Sequence, residues 1–434
     1  MIQIQHKQDC CGCSACVQRC PKQCISLYED EEGFLYPKVN LDACVDCGIC
    51  EKVCPVLNHS EEHIPIAVFA AKNPNEQIRY ESSSGGIFTL LAEQIIDEGG
   101  VVFGVKWNEH FEAIHAYTET KEGLAEFRGS KYVQSHIGET FKQAERFLRS
   151  GRKVLFSGTP CQIAALKSFL RKDYENLLAV DLICHGTPSP GVFRWYLNEE
   201  LQKAAARQSG KKIQFRSSLP IPSIAKADVL ACEQGLKIKD IRFRDKRLGW
   251  QKYSFVLSLE NLSEALVEGE KNSVSLSYVL RQHAFLRGFL SDLYLRPSCY
   301  VCPSKSGKSH ADITLADYWG IYTLVPELDD DKGCSAIIVN SDSGLLLIKQ
   351  LGIKLYTVPF SDLVKKNPAF AKSAKEPKVR SEFFKNDGMS MHSKIELLCK
   401  VPLKLKCKRI IKDIVFGIFS AKTVGKILKS LKRN

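Results

Sequence analysis

Short apolar runs broken by polar punctuation mark out most of this 434-residue chain, and their periods predict its elements. Ile25-Ser-Leu-Tyr and Phe34-Leu-Tyr-Pro-Lys-Val flank Glu29-Asp-Glu-Glu-Gly33, the pattern of a hairpin closed on a glycine turn. Ile66-Ala-Val-Phe-Ala-Ala-Lys72 reads as a buried strand. Ile87, Phe88, Leu90, Leu91, Ile95 and Ile96 fall at helical spacing between Ser82-Ser-Ser-Gly-Gly86 and Gly99-Gly100, which predicts a helix. Val101 to Val105 and Glu112 to Tyr117 read as strands. Lys153-Val-Leu-Phe156, the loop Ser157-Gly-Thr-Pro-Cys161, a helix Gln162 to Leu170 and a strand Leu177 to Ile183 make a βαβ unit. Such a unit sets its strands parallel and gathers ligands beyond their carboxyl ends. Beyond it, Gly235 to Phe243 and Ser254 to Leu259 read as strands, and Val274 to Leu290 as a helix.

The cysteines change this picture most. Cys10-x2-Cys13-x2-Cys16-x3-Cys20-Pro21 is repeated as Cys44-x2-Cys47-x2-Cys50-x3-Cys54-Pro55. This is the spacing that holds two cubane clusters, with the fourth cysteine of each run crossing to the other cluster. Cys10, Cys13, Cys16 and Cys54 are therefore expected to bind one [4Fe–4S] cluster, and Cys20, Cys44, Cys47 and Cys50 the second. Zinc prefers two Cys pairs a dozen or more residues apart, and a disulfide framework expects an export signal, which Met1-Ile-Gln-Ile-Gln-His does not supply. Cys11 and Cys24 fall outside the spacing and read as ordinary small residues.

Two more cysteines, Cys161 and Cys184, lie just past the ends of the βαβ strands, and a C-x2-C pair follows at Cys299 and Cys302. Alone, that pair fits metal or packing equally; with the other two it completes a third quartet, for a third [4Fe–4S] cluster. Cys232, Cys334, Cys399 and Cys407 have no partner at ligand spacing and read as structural. The Ser82–Gly86 loop offers free N–H groups at a helix start, either for a phosphate or simply as an N-cap and tight turn. No dinucleotide or P-loop glycine signature occurs in the 157–161 loop.

Eighteen cysteines without an export signal point to a cytoplasmic chain with metal or redox chemistry. The net charge of +12 belongs to the end of the chain: residues 394–434 hold twelve Lys or Arg against Glu396 and Asp413, leaving +2 for the rest. A nucleic-acid footprint on the body is thereby excluded. In the basic stretch Ile410, Ile411, Ile414, Val415, Ile418 and Phe419 share one helical face, and Val424, Ile427, Leu428 and Leu431 another. A docking helix, contact with an anionic membrane at the inner face, and a solvated helix over a core stripe all remain open.

The expected fold class is α/β, α+β overall. Residues 1–58 form a small dicluster ferredoxin-like domain, and 59–65 a linker. The mixed α/β body runs through 66–148 and 149–385, the second part holding the parallel βαβ unit and the third quartet. Residues 390–434 form a basic amphipathic helical tail.

Taken together, Ser83-Ser-Gly-Gly86, Gly129-Ser-Lys-Tyr132, Gly158-Thr-Pro-Cys161, Asp181 to Ser189, Arg296-Pro-Ser-Cys299-x2-Cys302, Asp312 to Gly320 and Asp331-Lys-Gly333 resemble the family of beta subunits of coenzyme F420 (deazaflavin) hydrogenases and dehydrogenases. The resemblance covers about residues 66–345. It implies an FAD beside one [4Fe–4S] cluster, with Ser83, Ser84, Gly85, Gly86, Lys131, Thr159 and Pro160 as flavin contacts. It also implies an iron–sulfur flavoprotein oxidoreductase that passes electrons between a two-electron carrier and the clusters. Such a chain meets either a small two-electron carrier or a redox partner protein; in the second case it only delivers electrons to a partner enzyme. No catalytic residue is assigned, and Pro303-Ser-Lys-Ser departs from the family pattern, which leaves the substrate open.

Overall fold

The computed structural model describes residues 1–209, 236–261, 273–280 and 282–400. Strands β1 (Ile25–Glu29) and β2 (Leu35–Val39) form the expected antiparallel hairpin, between the short helices α1 (Ala15–Arg19) and α2 (Ile49–Lys52). The chain then lays down β3 (Ala67–Ala71), helices α3 (Glu76–Glu81) and α4 (Ile87–Asp97), β4 (Val101–Trp107), β5 (Ala113–Thr118) and α5 (Thr140–Arg149). The unit β6 (Val154–Gly158), α6 (Pro160–Leu170) and β7 (Leu177–Leu182) follows, with its strands parallel as the periodicity requires. Helix α7 (Pro190–Ser209) leads to an antiparallel sheet of β8 (Leu236–Asp245), β9 (Ser254–Asn261) and β10 (Ser273–Val279). Strands β11 (Ile313–Asp317), β12 (Ser335–Val339) and β13 (Tyr356–Thr357) return to the main sheet.

That sheet has eight strands in the order β13-β3-β12-β11-β7-β6-β4-β5. Its middle, β11-β7-β6-β4, is parallel, and antiparallel strands flank it on both sides. The architecture is thus mixed α/β, and the carboxyl ends of β6, β7 and β11 open on one edge.

One sequence expectation fails. Val274 to Leu290 is not one helix: Val274-Ser-Leu-Ser-Tyr278 lies in β10 and only Ala284–Leu290 is helical. The alternation of Val274, Leu276 and Tyr278 has period two, and pairing with β9 decides it. The first half of α7 is buried all round: Phe193, Trp195, Tyr196 and Leu201 pack in one core with Phe243, Phe255 and Phe285, and Arg194, Asn198, Glu199 and Glu200 are buried with them. Residues 401–434 of the basic tail, Cys232 and Cys407 lie outside the described residues; the tail's first stretch is the helix Met391–Leu398, with Met391 and Ile395 buried in the core. Among the described residues, no helix is long and apolar enough to cross a membrane.

The amino-terminal region does not hang free. Cys11, Cys13, Ala15 and Val53 share one core with Phe141, Phe156 and Phe169 of the body. The Gln18 side chain accepts from the Phe141 and Lys142 amides (3.1 and 3.3 Å), capping the start of α5. Arg19 pairs with Glu145 at 2.9 Å and lies over the Phe169 ring. The hairpin turn is seated in the body: the Glu32 carboxylate meets the Arg380 guanidinium through both oxygens, and the Ser189 hydroxyl donates to the Glu32 carbonyl at 2.5 Å. Gly33, at φ +80, lies so close to Gly191 that a Cβ would stand 2.5 Å from its Cα. Even the expected linker is bound, through His63 Nε2 to the Asn340 carbonyl (2.7 Å) and His63 N to the Ser306 carbonyl (3.2 Å).

Candidate functional site: three thiol quartets and a polar loop cluster

The two ferredoxin-like runs fold into loops of the same kind. Gly12 and Ser14 take positive φ in the first (72 and 59°), Asp46 and Gly48 in the second (46 and 69°). Left-handed residues alternating along a loop turn successive N–H groups inward, which suits an anionic centre such as a sulfide cluster. An apolar cavity at the first loop is walled by Cys10, Cys13, Cys16 and Cys54, the four residues the spacing groups together. Cys10 and Cys54 both act electrostatically on Cys16. At the second loop Cys20 lies 3.4 Å from Cys24, which also contacts Cys44, and the Ile2 amide donates to the Cys50 sulfur at 3.2 Å. Cys47 alone of this set is exposed.

The body quartet comes from three elements. Cys161 stands in the first turn of α6, where the capping box of Thr159 and Gln162 with Pro160 at the start fixes the helix entry. Cys184 follows β7, while Cys299 lies in the 3-10 turn Pro297–Val301 and Cys302 caps it. The structure brings all four together: Cys161, Cys299 and Cys302 each act electrostatically on Cys184. Donors are aimed at them. The Thr159 hydroxyl lies 3.2 Å from the Cys161 sulfur, and the Thr187 amide 3.4 Å from that of Cys299. Lys305 donates to the Cys184 carbonyl at 2.6 Å. Burial pushes the Cys16 and Cys302 thiols up to about 12, so loading iron here must release protons. Among the described residues, no three His, Cys, Asp or Glu side chains converge closely enough to hold a single ion.

Cys11 is more than the small filler its position suggested. Its thiol reaches both Cys13 and Cys161, and so spans the gap between the first quartet and the body quartet. Cys24 likewise sits among the second quartet. Neither was legible from spacing, because each lies beside a ligand in sequence but meets its other contacts only after folding. Cys334 and Cys399 are buried and distant from the quartets in the chain, as expected of structural residues.

The residues expected at the flavin divide into two groups. Ser83 accepts from the Ser130 hydroxyl at 2.7 Å, which joins the Ser83–Gly86 loop to the Gly129–Tyr132 loop. Burial pushes the Lys131 ammonium down to about 8, and it donates to the Glu126 and Arg128 carbonyls (3.1 and 3.2 Å). Thr159 and Pro160 instead open α6 beside Cys161. The chain from Ser130 to Ser135 links the groups: the Gln162 side-chain amide donates to the Ser135 hydroxyl at 3.0 Å, and His115 lies between Ser135 and the Ser157 carbonyl.

Gly85 is held close to the sheet. A Cβ there would stand 2.5 Å from the Ser335 nitrogen and 2.8 Å from the Ala71 carbonyl, so the glycine is required by the packing of β3 against β12.

Two cations beside this loop cluster escaped the sequence reading. Lys246 donates to the Ser84, Arg79 and Lys332 carbonyls (2.7, 2.7 and 2.8 Å). Arg244 is buried, pairs with Asp317, and lies near Tyr132 and over the Trp319 ring. Its Nε and Nη2 atoms are buried with no hydrogen-bond partner among the described residues. Basic residues at the alternate positions Arg242, Arg244 and Lys246, closing a strand of alternating apolar and charged residues, were the available signal.

Comparison with known proteins finds relatives of both the amino-terminal region and the body. The coenzyme F420 hydrogenase/dehydrogenase beta-subunit model has two parts; its amino-terminal part matches residues 68–142 and its carboxyl-terminal part residues 151–359. A 4Fe-4S dicluster domain model matches residues 9–58. One subunit of the F(420)H(2) dehydrogenase of Methanosarcina mazei is 25% identical over 195 residues, 42% of this chain and 54% of that protein. The coenzyme F420-dependent sulfite reductase of Methanocaldococcus jannaschii is 26% identical over 186 residues, 41% of this chain and 28% of that protein. The chain thus spans about half, or less, of the length of these relatives. A chain of the F420-reducing [NiFe] hydrogenase complex from Methanosarcina barkeri aligns with 73% of this chain and 97% of its own length, at 15% identity and a TM-score of 0.39.

Proposed function

This chain belongs to the family of coenzyme F420 hydrogenase/dehydrogenase beta subunits, with a 4Fe-4S ferredoxin-type domain in front of the family body, and we propose that it is a cytoplasmic iron–sulfur flavoprotein oxidoreductase. In this reading electrons pass between a two-electron carrier, a deazaflavin coenzyme or similar, and [4Fe–4S] clusters through FAD. The first cluster falls to Cys10, Cys13, Cys16 and Cys54, and the second to Cys20, Cys44, Cys47 and Cys50. The third falls to Cys161, Cys184, Cys299 and Cys302. The observation that carries the reading is the thiol chain Cys13–Cys11–Cys161, which sets the ferredoxin-type loop directly against the body quartet.

The donor sets fit cubane clusters: thiols in fours, on loops or turns whose amides face inward. The loop cluster fits an anionic cofactor, because Arg244 carries buried donors that nothing among the described residues satisfies. FAD would be held there by Ser83, Ser84, Gly86 and Lys131, with Arg244 opposite its charge and Thr159 and Pro160 toward the body quartet. Bound FAD takes electrons as a pair and releases them singly, which one-electron clusters require. The protein's share is positional and electrostatic. Thr159 and Thr187 donate toward Cys161 and Cys299, which favours the reduced state of whatever those sulfurs bind.

Anoxic purification with iron, sulfide and flavin counted per chain tests this reading. About twelve irons and one flavin are expected. Eight irons would remove the body cluster, and zinc in that quartet would remove the electron path through the body.

A second reading, an electron-delivering subunit with its chemistry on a partner, draws on one observation. Leu41, Val45 and Leu57 are 63, 58 and 57% exposed in or near the loop that carries exposed Cys47. An isolated chain that exchanges electrons between reduced deazaflavin and a viologen dye favours the first reading. Turnover that waits on a partner protein favours the second.

A further inference from the structure

Arg296 belongs to both halves of the protein. Its backbone is part of the body quartet's frame: its amide donates to the Thr187 carbonyl (3.0 Å), and its carbonyl accepts from the Cys299 amide (2.8 Å). Its side chain reaches the other way. Nε donates to the Cys10 carbonyl (2.7 Å), Nη2 to the Leu35 carbonyl (2.9 Å) and toward the Cys10 sulfur (3.5 Å). Nη1 donates to Gln134 Oε1 at 3.0 Å, and Gln134 in turn holds the Cys11 carbonyl at 2.9 Å. The cation is 1% exposed and lies over the Tyr36 ring at 4.3 Å and the Phe34 ring at 5.3 Å. Gly12 clears its place, since a Cβ there would stand 2.7 Å from Nη1.

A buried guanidinium needs a negative partner, because leaving a charge unpaired out of water costs several kcal/mol. Among the described residues no carboxylate pairs with Arg296. Besides the Tyr36 phenol, the ionisable groups its charge acts on are sulfurs: Cys10 and Cys11 on one side, Cys161 and Cys299 on the other.

We propose that Arg296 is the shared counter-charge of the cluster at Cys10, Cys13, Cys16 and Cys54 and the cluster at Cys161, Cys184, Cys299 and Cys302. This rests on reading those quartets as clusters. Each cluster accepts one electron with no bond made or broken, and the added negative charge is what the guanidinium stabilises. One cation thereby raises both reduction potentials together and keeps them level, so that an electron crosses between the halves without a large step. Among the described residues, the cluster at Cys44, Cys47 and Cys50 has no such contact.

The test is Arg296→Gln and Arg296→Lys in the full chain, reconstituted anoxically, with iron counted and potentials followed by electron paramagnetic resonance. Arg296→Gln should keep about twelve irons. Two of its three one-electron transitions should move to lower potential by at least tenfold in reduction equilibrium constant, about 59 mV, while the third stays in place. Arg296→Lys, which keeps the charge, should hold both near the wild-type values. Should Arg296→Gln lose iron, Arg296→Lys must retain both iron and potentials. Full iron with all transitions unmoved, or loss of iron in both variants, overturns the role of Arg296. A wild-type chain with eight irons overturns instead the reading of the body quartet, and the proposal with it.

Discussion

Replacing Glu32 with Ala should loosen the ferredoxin-type hairpin from the body, and the structure gives the scale. Glu32 and Arg380 have side chains only 10% and 9% exposed and meet through two charge-assisted hydrogen bonds. Without the carboxylate, the Arg380 guanidinium keeps the Leu295 carbonyl at 3.3 Å and exposed Glu376 at 4.0 Å, both poor substitutes. Removing one partner of a buried pair costs about 3–5 kcal/mol. At about 1.4 kcal/mol per tenfold, amide exchange in the turn should quicken by roughly two to three and a half decades. The reporters are the Glu32 and Phe34 amides, which donate to Asp30 Oδ1 at 3.1 and 2.8 Å, and the Gly191 amide, which donates to the Gly33 carbonyl at 3.4 Å. The double variant Glu32→Gln, Arg380→Met buries no charge and should recover most of the protection. A single variant that exchanges like wild type, or a double variant no better protected than the single one, would refute the reasoning.

Two further expectations are independent of it. Burial pushes the Asp181 carboxyl up to about 6, against the Ser309 hydroxyl donating to one oxygen at 2.6 Å and the nearby Thr314 side chain, which only partly offset it. The folded pKa lies above the unfolded one, so this stability is complete below about pH 4 and lost as pH rises through about 6. A shift of about two units is on the order of 3 kcal/mol; Asp181→Asn should therefore melt higher than wild type at pH 7.5, with the gap narrowing toward pH 5, and a gap independent of pH speaks against it. For the basic tail, co-sedimentation with anionic liposomes should fall as salt rises and vanish on truncation at Lys400, each cation contributing about 1 kcal/mol; binding that survives truncation excludes membrane contact through the tail.

What could be read beforehand followed the range of the interactions. The cysteine runs are local, so their loops were fully legible. Cys161 and Cys184 were legible at one remove, because the βαβ rule places the ends of β6 and β7 side by side. The hairpin turn was recognised as a turn, but nothing in Glu32-Gly33 announces Arg380, which lies 348 residues away. Arg296 was visible only as part of a cysteine motif; its real partners are a carbonyl 286 residues upstream and a glutamine whose identity is unremarkable in isolation. Gly85 shows a different limit: a glycine demanded by backbone packing and one demanded by a ligand look the same in sequence, and the packing of Gly85 against Ser335 and Ala71 was not readable. In β10 the alternation Val274-Ser-Leu-Ser-Tyr278 was present but was overruled by the apolar helix that follows it.

The seated hairpin also sets a timetable for biogenesis. Synthesis runs from the amino terminus at about 5–20 residues per second, so Glu32 leaves the ribosome roughly 20–70 s before Arg380 exists to receive it. For most of that interval all ten cysteines of the first 54 residues, the eight of the two repeated runs among them, are available, whereas the body quartet is still missing Cys299 and Cys302. On the proposed reading, iron delivery to the amino-terminal loops can begin on the nascent chain, while a cluster at the body quartet must wait for most of the polypeptide. Until α5 and α6 emerge, Ala15 and Val53 face water, and any factor that accompanies this protein during translation must shield that face first.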